Sequence, residues 1–286
     1  MKMEKENRKK TPYLFNHIIN PNTIICRYMD FDKFLPLLEG HFYVPRKLNF
    51  PDSGESGKIP PKFWFGFSCV NEKWERQSEM VSKRQERRNR YIKSLLESRL
   101  LLTSCWIIDN GEDYLMWNSY ARKLGVCLRT TIADLMYSLD YDKENYLPIC
   151  SPIFYEKINY NEDFLESMFK KEPYYQSENE VRFYFVPKDN IPSCAIEDFN
   201  NVDVEKILKE TAKNEEKKYK ESQKSHSKYD LYKIFEIKPE FINSIILSPL
   251  ILKGSEKIIK DILLGQYGSV FKNKSMIESS KISLEL

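Results

Sequence analysis

Residues 103–131, TSCWIIDNGEDYLMWNSYARKLGVCLRTT, set a strand through Ser104, Cys105 and Trp106 ahead of an acidic turn. A helix carrying Met116, Trp117 and Tyr120 follows, then a second strand that runs into Thr130 and Thr131. A helix that only had to stay soluble would not need Trp106, Trp117 and Tyr120 so near Glu112 and Asp113, because large rings cost solubility unless they are buried or stacked. The spacing admits two readings: these aromatics line a pocket, or they are core.

Upstream of this block the same grammar repeats. TIICRYM (23–29) is strand-like in composition, Asp30 stands where it could cap the helix FDKFLPLLEG (31–40), Pro36 falls near its first turns and Gly40 offers a stop. HFYVPR (41–46) then reads as a strand. NFPDSGESGKIPP (49–61) has the Pro, Gly, Ser and Asp density of an irregular loop whose backbone can reach into a site. Residues 72–99 read as a basic helix in which Lys83, Arg84, Arg87, Arg88 and Arg90 could meet phosphate or a protein partner through residues 83–93. The plainer reading of that cluster is a solvated face laced with opposite charges.

Downstream, TTIADLMYSL (130–139) is a capped helix, SPIFYEKINY (151–160) a strand and NEDFLESMFKK (161–171) a helix. ENEVRFYFV (178–186) is a strand by its β-branched and aromatic content. Residues 205–228 are lysine-rich and nearly free of aliphatics, which marks an exposed insertion. INSIILSPLIL (242–252) reads as a buried strand and GSEKIIKDILLGQYG (254–268) as a helix, before a weak final segment. The expected organisation is a flexible basic tail at 1–21 and one α+β domain at 22–286, with mixed or antiparallel sheets flanked by helices.

Bulk properties narrow the function. At 286 residues and 41% hydrophobic the chain can bury a sizeable core. A net charge of +3, from 45 basic and 42 acidic side chains, predicts no general affinity for polyanions. The six cysteines are scattered singly, with no C-x-x-C pair and only three histidines, so neither a zinc site nor a disulfide framework is expected. Such usage suits a reducing, cytoplasmic compartment, and no apolar run is long enough to suggest a membrane. With nine glycines and none of the glycine-rich phosphate loops, a bound nucleotide would have to be held by side chains.

Arg27 on the first strand and Arg46 after the second suit that task, since guanidinium forks match phosphate oxygens; Tyr28 and Tyr43 on the same strands are further candidates. An arginine inside IICRYM is costly to bury unless an anion meets it, and the bland partner would be Asp30 or Glu39. Glu180 and Arg182 alternate with Val181 and Phe183, so both face one side of their strand. A carboxylate beside a guanidinium stays ionised, which suits either a site that stabilises a developing cation or a structural ion pair.

Taken in order, CRYMDFDKFLPLLEGHFYVPR, NFPDSGESG, TSCW…YLMWNSYARKLGVCLRTT, ENEVRFYF and INSIILSPLI…IIKDILLGQYG resemble the bacterial domain-of-unknown-function family 2971, over nearly the whole chain after residue 22. The loop departs from that family's pattern of Asp-Pro followed closely by Glu-Gly: Asp52 and Glu55 match while the Pro and Gly do not. The opening strand, helix and strand are also similar to ADP-ribosyltransferases, in which a first-strand Arg or His precedes a second-strand Ser or Tyr and a later Glu. That resemblance implies a split sheet and NAD as substrate, with no metal. It puts the roles on Arg27, on Ser104 or Tyr43, and on Glu180, with Arg27 at the diphosphate and Glu180 opposite the ribose. Trp106, Trp117 or Tyr120 would wall the nicotinamide, Glu112 would orient a ribose or an acceptor, and the acceptor would be protein or nucleic acid. The rivals are a module that binds a nucleotide or peptide without turnover, and a toxin or antiviral-defence effector that acts on nucleic acid through the basic helix.

Overall fold

Strand β2 (Ile24–Asp30) buries Ile25, Cys26, Tyr28 and Met29. Its two faces serve two cores: Ile25 and Met29 enter the larger one, Cys26 and Tyr28 a smaller one on the other side. A strand covered on both faces loses the hydrophobic-polar alternation of a half-exposed one, which is why IICRYM reads as a continuous run. This computed structural model describes residues 13–14, 19–46, 83, 86, 89, 101–121, 124–141, 143, 145–156, 168–188, 232–271 and 273–282.

Eight strands form the main sheet. They are β1 (Tyr13–Leu14), β2, β4 (Leu102–Ile108), β5 (Gly125–Thr131), β6 (Tyr146–Pro152), β9 (Glu180–Pro187), β11 (Ser244–Leu247) and β12 (Ile277–Ser279), in the order β1-β6-β9-β4-β2-β5-β11-β12. The two outer pairs are parallel and all others antiparallel. Two small ribbons flank it: β3 (His41–Pro45) with β10 (Tyr232–Glu236), and β7 (Phe154–Tyr155) with β8 (Lys170–Lys171). The class is α+β with a mixed, largely antiparallel sheet.

Helix α1 (Phe31–Leu38) follows β2 directly, and Phe34, Leu37 and Leu38 bury its inner face. Asp30 occupies the N-cap position but makes no capping bond through its side chain. Gly40 sits at φ +84° just past the helix, a left-handed conformation that only glycine adopts freely, and so turns the chain into β3. Helix α2 (Tyr114–Tyr120) begins where the Asp113 carboxylate accepts a hydrogen bond from the amide of Leu115. Gly125 opens β5 beneath the end of that helix; a Cβ there would lie 2.6 Å from Ala121, so only glycine permits the approach. Helix α3 (Ile132–Ser138) starts at Thr131, whose hydroxyl accepts from the Asp134 amide at 3.0 Å. Thr131→Ala is expected to cost about 0.5–2 kcal/mol, read as a lower urea midpoint at unchanged slope; an unmoved midpoint would show that this cap is idle. Helix α4 (Lys253–Gln266) closes the larger core through Ile259 and Leu263.

Several sequence expectations need correction. The tail assigned to 1–21 contributes Tyr13 and Leu14 to the sheet, paired with Ile149 and Cys150, and Ile19 to the core. The strand expected at 151–160 is divided: Ser151 and Pro152 end β6, which starts earlier, at Tyr146, and Phe154–Tyr155 form the short β7. Lys170 and Lys171 end no helix; they form β8, and their buried charges meet Glu156, Glu178 and Glu180. Strands β10 and β12 have no counterpart in the sequence reading. The loop 49–61 and the lysine-rich stretch 205–228 lie outside the described residues. So does most of the basic helix 72–99, of which Lys83, Glu86 and Asn89 are helical.

Candidate functional site

Strands β2 and β4 each run seven residues but pair at only two positions, Ile25 with Ile108 and Cys26 with Ile107. Beyond that point they part, because each is held on its far side by a full ladder, β2 by β5 and β4 by β9. A cavity of about 870 Å³ opens in the gap. Its walls include Arg27, Tyr28 and Met29 from β2, Cys105 and Trp106 from β4, Glu180 at the start of β9, Glu178 from the turn just before it, and Tyr120 from α2. Leu37, Phe42, Tyr43 and Ile234 close the opposite side from α1 and the small ribbon.

The register sorts the polar groups by face. Arg27 shares a face with Ser104 and Trp106: its Nη1 donates to Ser104 Oγ at 3.3 Å and its guanidinium lies 5.8 Å from the Trp106 ring centre. Trp106 Nε1 donates to the same Ser104 Oγ at 3.0 Å, so the buried hydroxyl ties the indole and the guanidinium into one geometry. The expected bland partners are engaged elsewhere, Asp30 with Lys33 and Glu39 with the Tyr267 hydroxyl. No carboxylate among the described residues pairs with Arg27. Burial presses its pKa below the ordinary arginine value, while the nearby Cys105 acts in the opposite direction. A guanidinium is protonated in either case, so the shift registers a partly desolvated cation in need of an anion.

Glu180 enters the gap from the opposite face, beside Ile107 and Cys105. Its carboxylate accepts from Arg182 Nε at 2.7 Å and Nη2 at 3.0 Å, and Lys171 Nζ lies 2.7 Å from its second oxygen. Lys171 also reaches Glu178 at 2.5 Å. Burial alone would raise the Glu180 pKa; the charges of Arg182 and then Lys171, with hydrogen bonds from Arg182 and Cys105, outweigh it and hold the group at about 2. Two cations, Lys171 and Arg182, and two anions, the buried Glu180 and the half-buried Glu178, thus form a neutral set. The approach to β9 is fixed by Asn179 in the left-handed region at φ 43°, which asparagine tolerates, and by Tyr155, whose hydroxyl accepts from the Glu180 amide at 2.7 Å. Burial pushes the Tyr155 phenol up to about 12, so it stays protonated.

Of the residues singled out from sequence, the cavity gathers Arg27, Tyr28, Tyr43, Trp106, Tyr120 and Glu180. Ser104 and Arg182 stand one layer behind, touching the residues that line it. Arg46 is buried in a bridge to Leu102, away from the cavity. Trp117, 0% exposed, packs edge-on against Tyr28 at 4.8 Å and is core. Glu112 accepts from Trp117 Nε1, from Ser280 Oγ and from the Lys281 amide, so it anchors the C-terminal segment and does not face the cavity. Glu180 and Arg182 face one side together, as the strand period requires.

Sequence reasoning missed Lys171, Glu178 and Cys105. Glu178 had a signal, its two-residue spacing from Glu180; Lys171 had none, since KK before Glu172-Pro173 looks like the end of an amphipathic helix. Among the described residues no cluster of three His, Cys, Asp or Glu side chains could hold a metal, and no helix is long and apolar enough to cross a membrane. No protein family, curated protein or solved structure matches the chain.

Proposed function

We propose that the cavity takes NAD as a substrate and cleaves its nicotinamide–ribose bond, as an ADP-ribosyltransferase or NAD glycohydrolase would. The observation that carries this reading is that a cation with no carboxylate partner among the described residues, Arg27, and a carboxylate whose pKa is held low by its cationic neighbours, Glu180, line one cavity at a parting of strands. Arg27, oriented by Ser104, engages the diphosphate. Trp106 and Tyr120 supply aromatic surface for the base or the nicotinamide ring. The C1′–N bond breaks with its electron pair moving to the ring nitrogen, so nicotinamide leaves neutral, and the ribosyl cation forms opposite Glu180. A hydroxyl or water lone pair then makes the new C1′–O bond, and its proton passes to solvent.

A second reading, binding without turnover, is favoured by one feature: both Glu180 oxygens are already engaged by Arg182 and Lys171. Calorimetry with NAD and chromatography for released nicotinamide separate the two. Arg27→Ala is expected to weaken NAD binding about 10- to 150-fold, the worth of one charged hydrogen-bonding group. Binding without release selects the second reading. A folded chain that ignores millimolar NAD ends both.

A further inference from the structure

Outside the line from Arg27 to Glu180, the least expected group at the cavity is a lysine, 2% exposed, on a two-residue strand. Lys171 Nζ lies 2.5 Å from Glu178 Oε2 and 2.7 Å from Glu180 Oε2, so the two carboxylates meet at one ammonium and stand within about 5 Å of each other. Like charges at that range ordinarily drive a proton onto one of them. Arg182 acts on Glu180 through two nitrogens; Lys171 reaches both acids.

We infer that Lys171 is a positioning residue that holds Glu178 and Glu180 side by side in their ionised forms at the cavity wall. The site then presents two carboxylates where repulsion alone would leave one. The backbone supports this placement. β8 is registered against β7 through Phe154–Lys170 and Tyr155–Lys171, and the ammonium lies 5.1 Å from the Tyr175 ring centre. The other titratable groups that face the cluster are Tyr120 from α2, Tyr155 from β7, Tyr175 from the turn that precedes β9, Cys105 from β4, and Arg182 and Tyr184 from β9. Burial raises the phenols of Tyr120, Tyr155 and Tyr184, so none of them adds a negative charge near neutral pH. The catalytic meaning of this inference rests on the reading of Glu180 proposed above; the electrostatic claim does not.

The test is a pH titration of the side-chain carboxyl carbons of Glu178 and Glu180 by NMR in the full chain, with nicotinamide release followed in parallel. In the unsubstituted protein both carbons are expected to titrate below the ordinary glutamate value of about 4.3. Lys171→Met should raise the midpoint of one of them by a unit or more, and should move the acid limb of nicotinamide release upward by the same amount with little change in KM for NAD. If Lys171→Met does not fold, Lys171→Met/Glu178→Gln removes one charge of each sign and keeps the set neutral. In that variant Glu180 should titrate above its unsubstituted midpoint. The inference is overturned if either carboxyl of the unsubstituted protein titrates at the ordinary value, or if the curves of the substituted and unsubstituted proteins coincide. Shifted carboxyl titrations without nicotinamide release would uphold the role of Lys171 and refute the NAD reading.

Discussion

Glu180→Gln is expected to lower nicotinamide release at least about a hundredfold while leaving NAD affinity within about threefold. The amide keeps the shape of the side chain and one acceptor for Arg182, but it loses the charge that would face a ribosyl cation. Nothing in that loss touches Arg27, Ser104 or Trp106, which hold the other half of the cavity. The substitution also leaves Lys171 and Arg182 with Glu178 as the remaining acid of the set, and removing one partner of a buried pair costs about 3–5 kcal/mol. Rates must therefore be compared per mole of folded protein, by circular dichroism at the assay temperature. Unchanged release from the folded variant would remove Glu180 from the chemistry and leave its ion pairs as structural.

Trp117→Ala is expected to destabilise the chain by about 3–5 kcal/mol, measured as a lower midpoint in urea at unchanged slope. The indole is wholly buried, packs edge-on against Tyr28 and donates to Glu112. Its loss leaves a ring-sized void in the smaller core, which consists of Cys26, Tyr28, Met116, Trp117, Ala121, Cys127 and Ile246. That core is what seats α2, and α2 in turn presents Tyr120, 52% exposed, to the cavity. Trp117→Phe, which refills part of the void, should recover a substantial part of the loss. A cost below about 1 kcal/mol for the alanine variant would mean that α2 is not seated by this ring.

Much of the fold was legible because local signals agree with long-range packing. The strands Ile24–Asp30 and Glu180–Pro187 carry continuous apolar, β-branched and aromatic composition, and the helix after the first strand stops at Gly40, signals that need no distant partner to be read. The strand expected at 151–160 shows the opposite case. Ser-Pro-Ile-Phe-Tyr has strand composition, but pairing with β9 begins at Tyr146 and ends at Pro152, and only the partner decides that. Lys170 and Lys171 are harder still: buried lysine in a strand contradicts every local preference, and it is stable because Glu156, Glu178 and Glu180 come from elsewhere to neutralise it.

For the candidate site, residue chemistry on its own determined that an arginine in an apolar strand needs an anion and that a Glu–x–Arg pair on one strand shares a face; both follow from charge and the two-residue period. Tertiary structure alone decided that Trp117 and Glu112 belong to the core and the C-terminal anchor, that Arg46 stands aside, and that Lys171 joins two acids. Side-chain roles of this kind depend on where strands part. Here the gap exists because β2 and β4 are each held harder by their outer neighbours than by one another, a competition between ladders that no stretch of sequence contains.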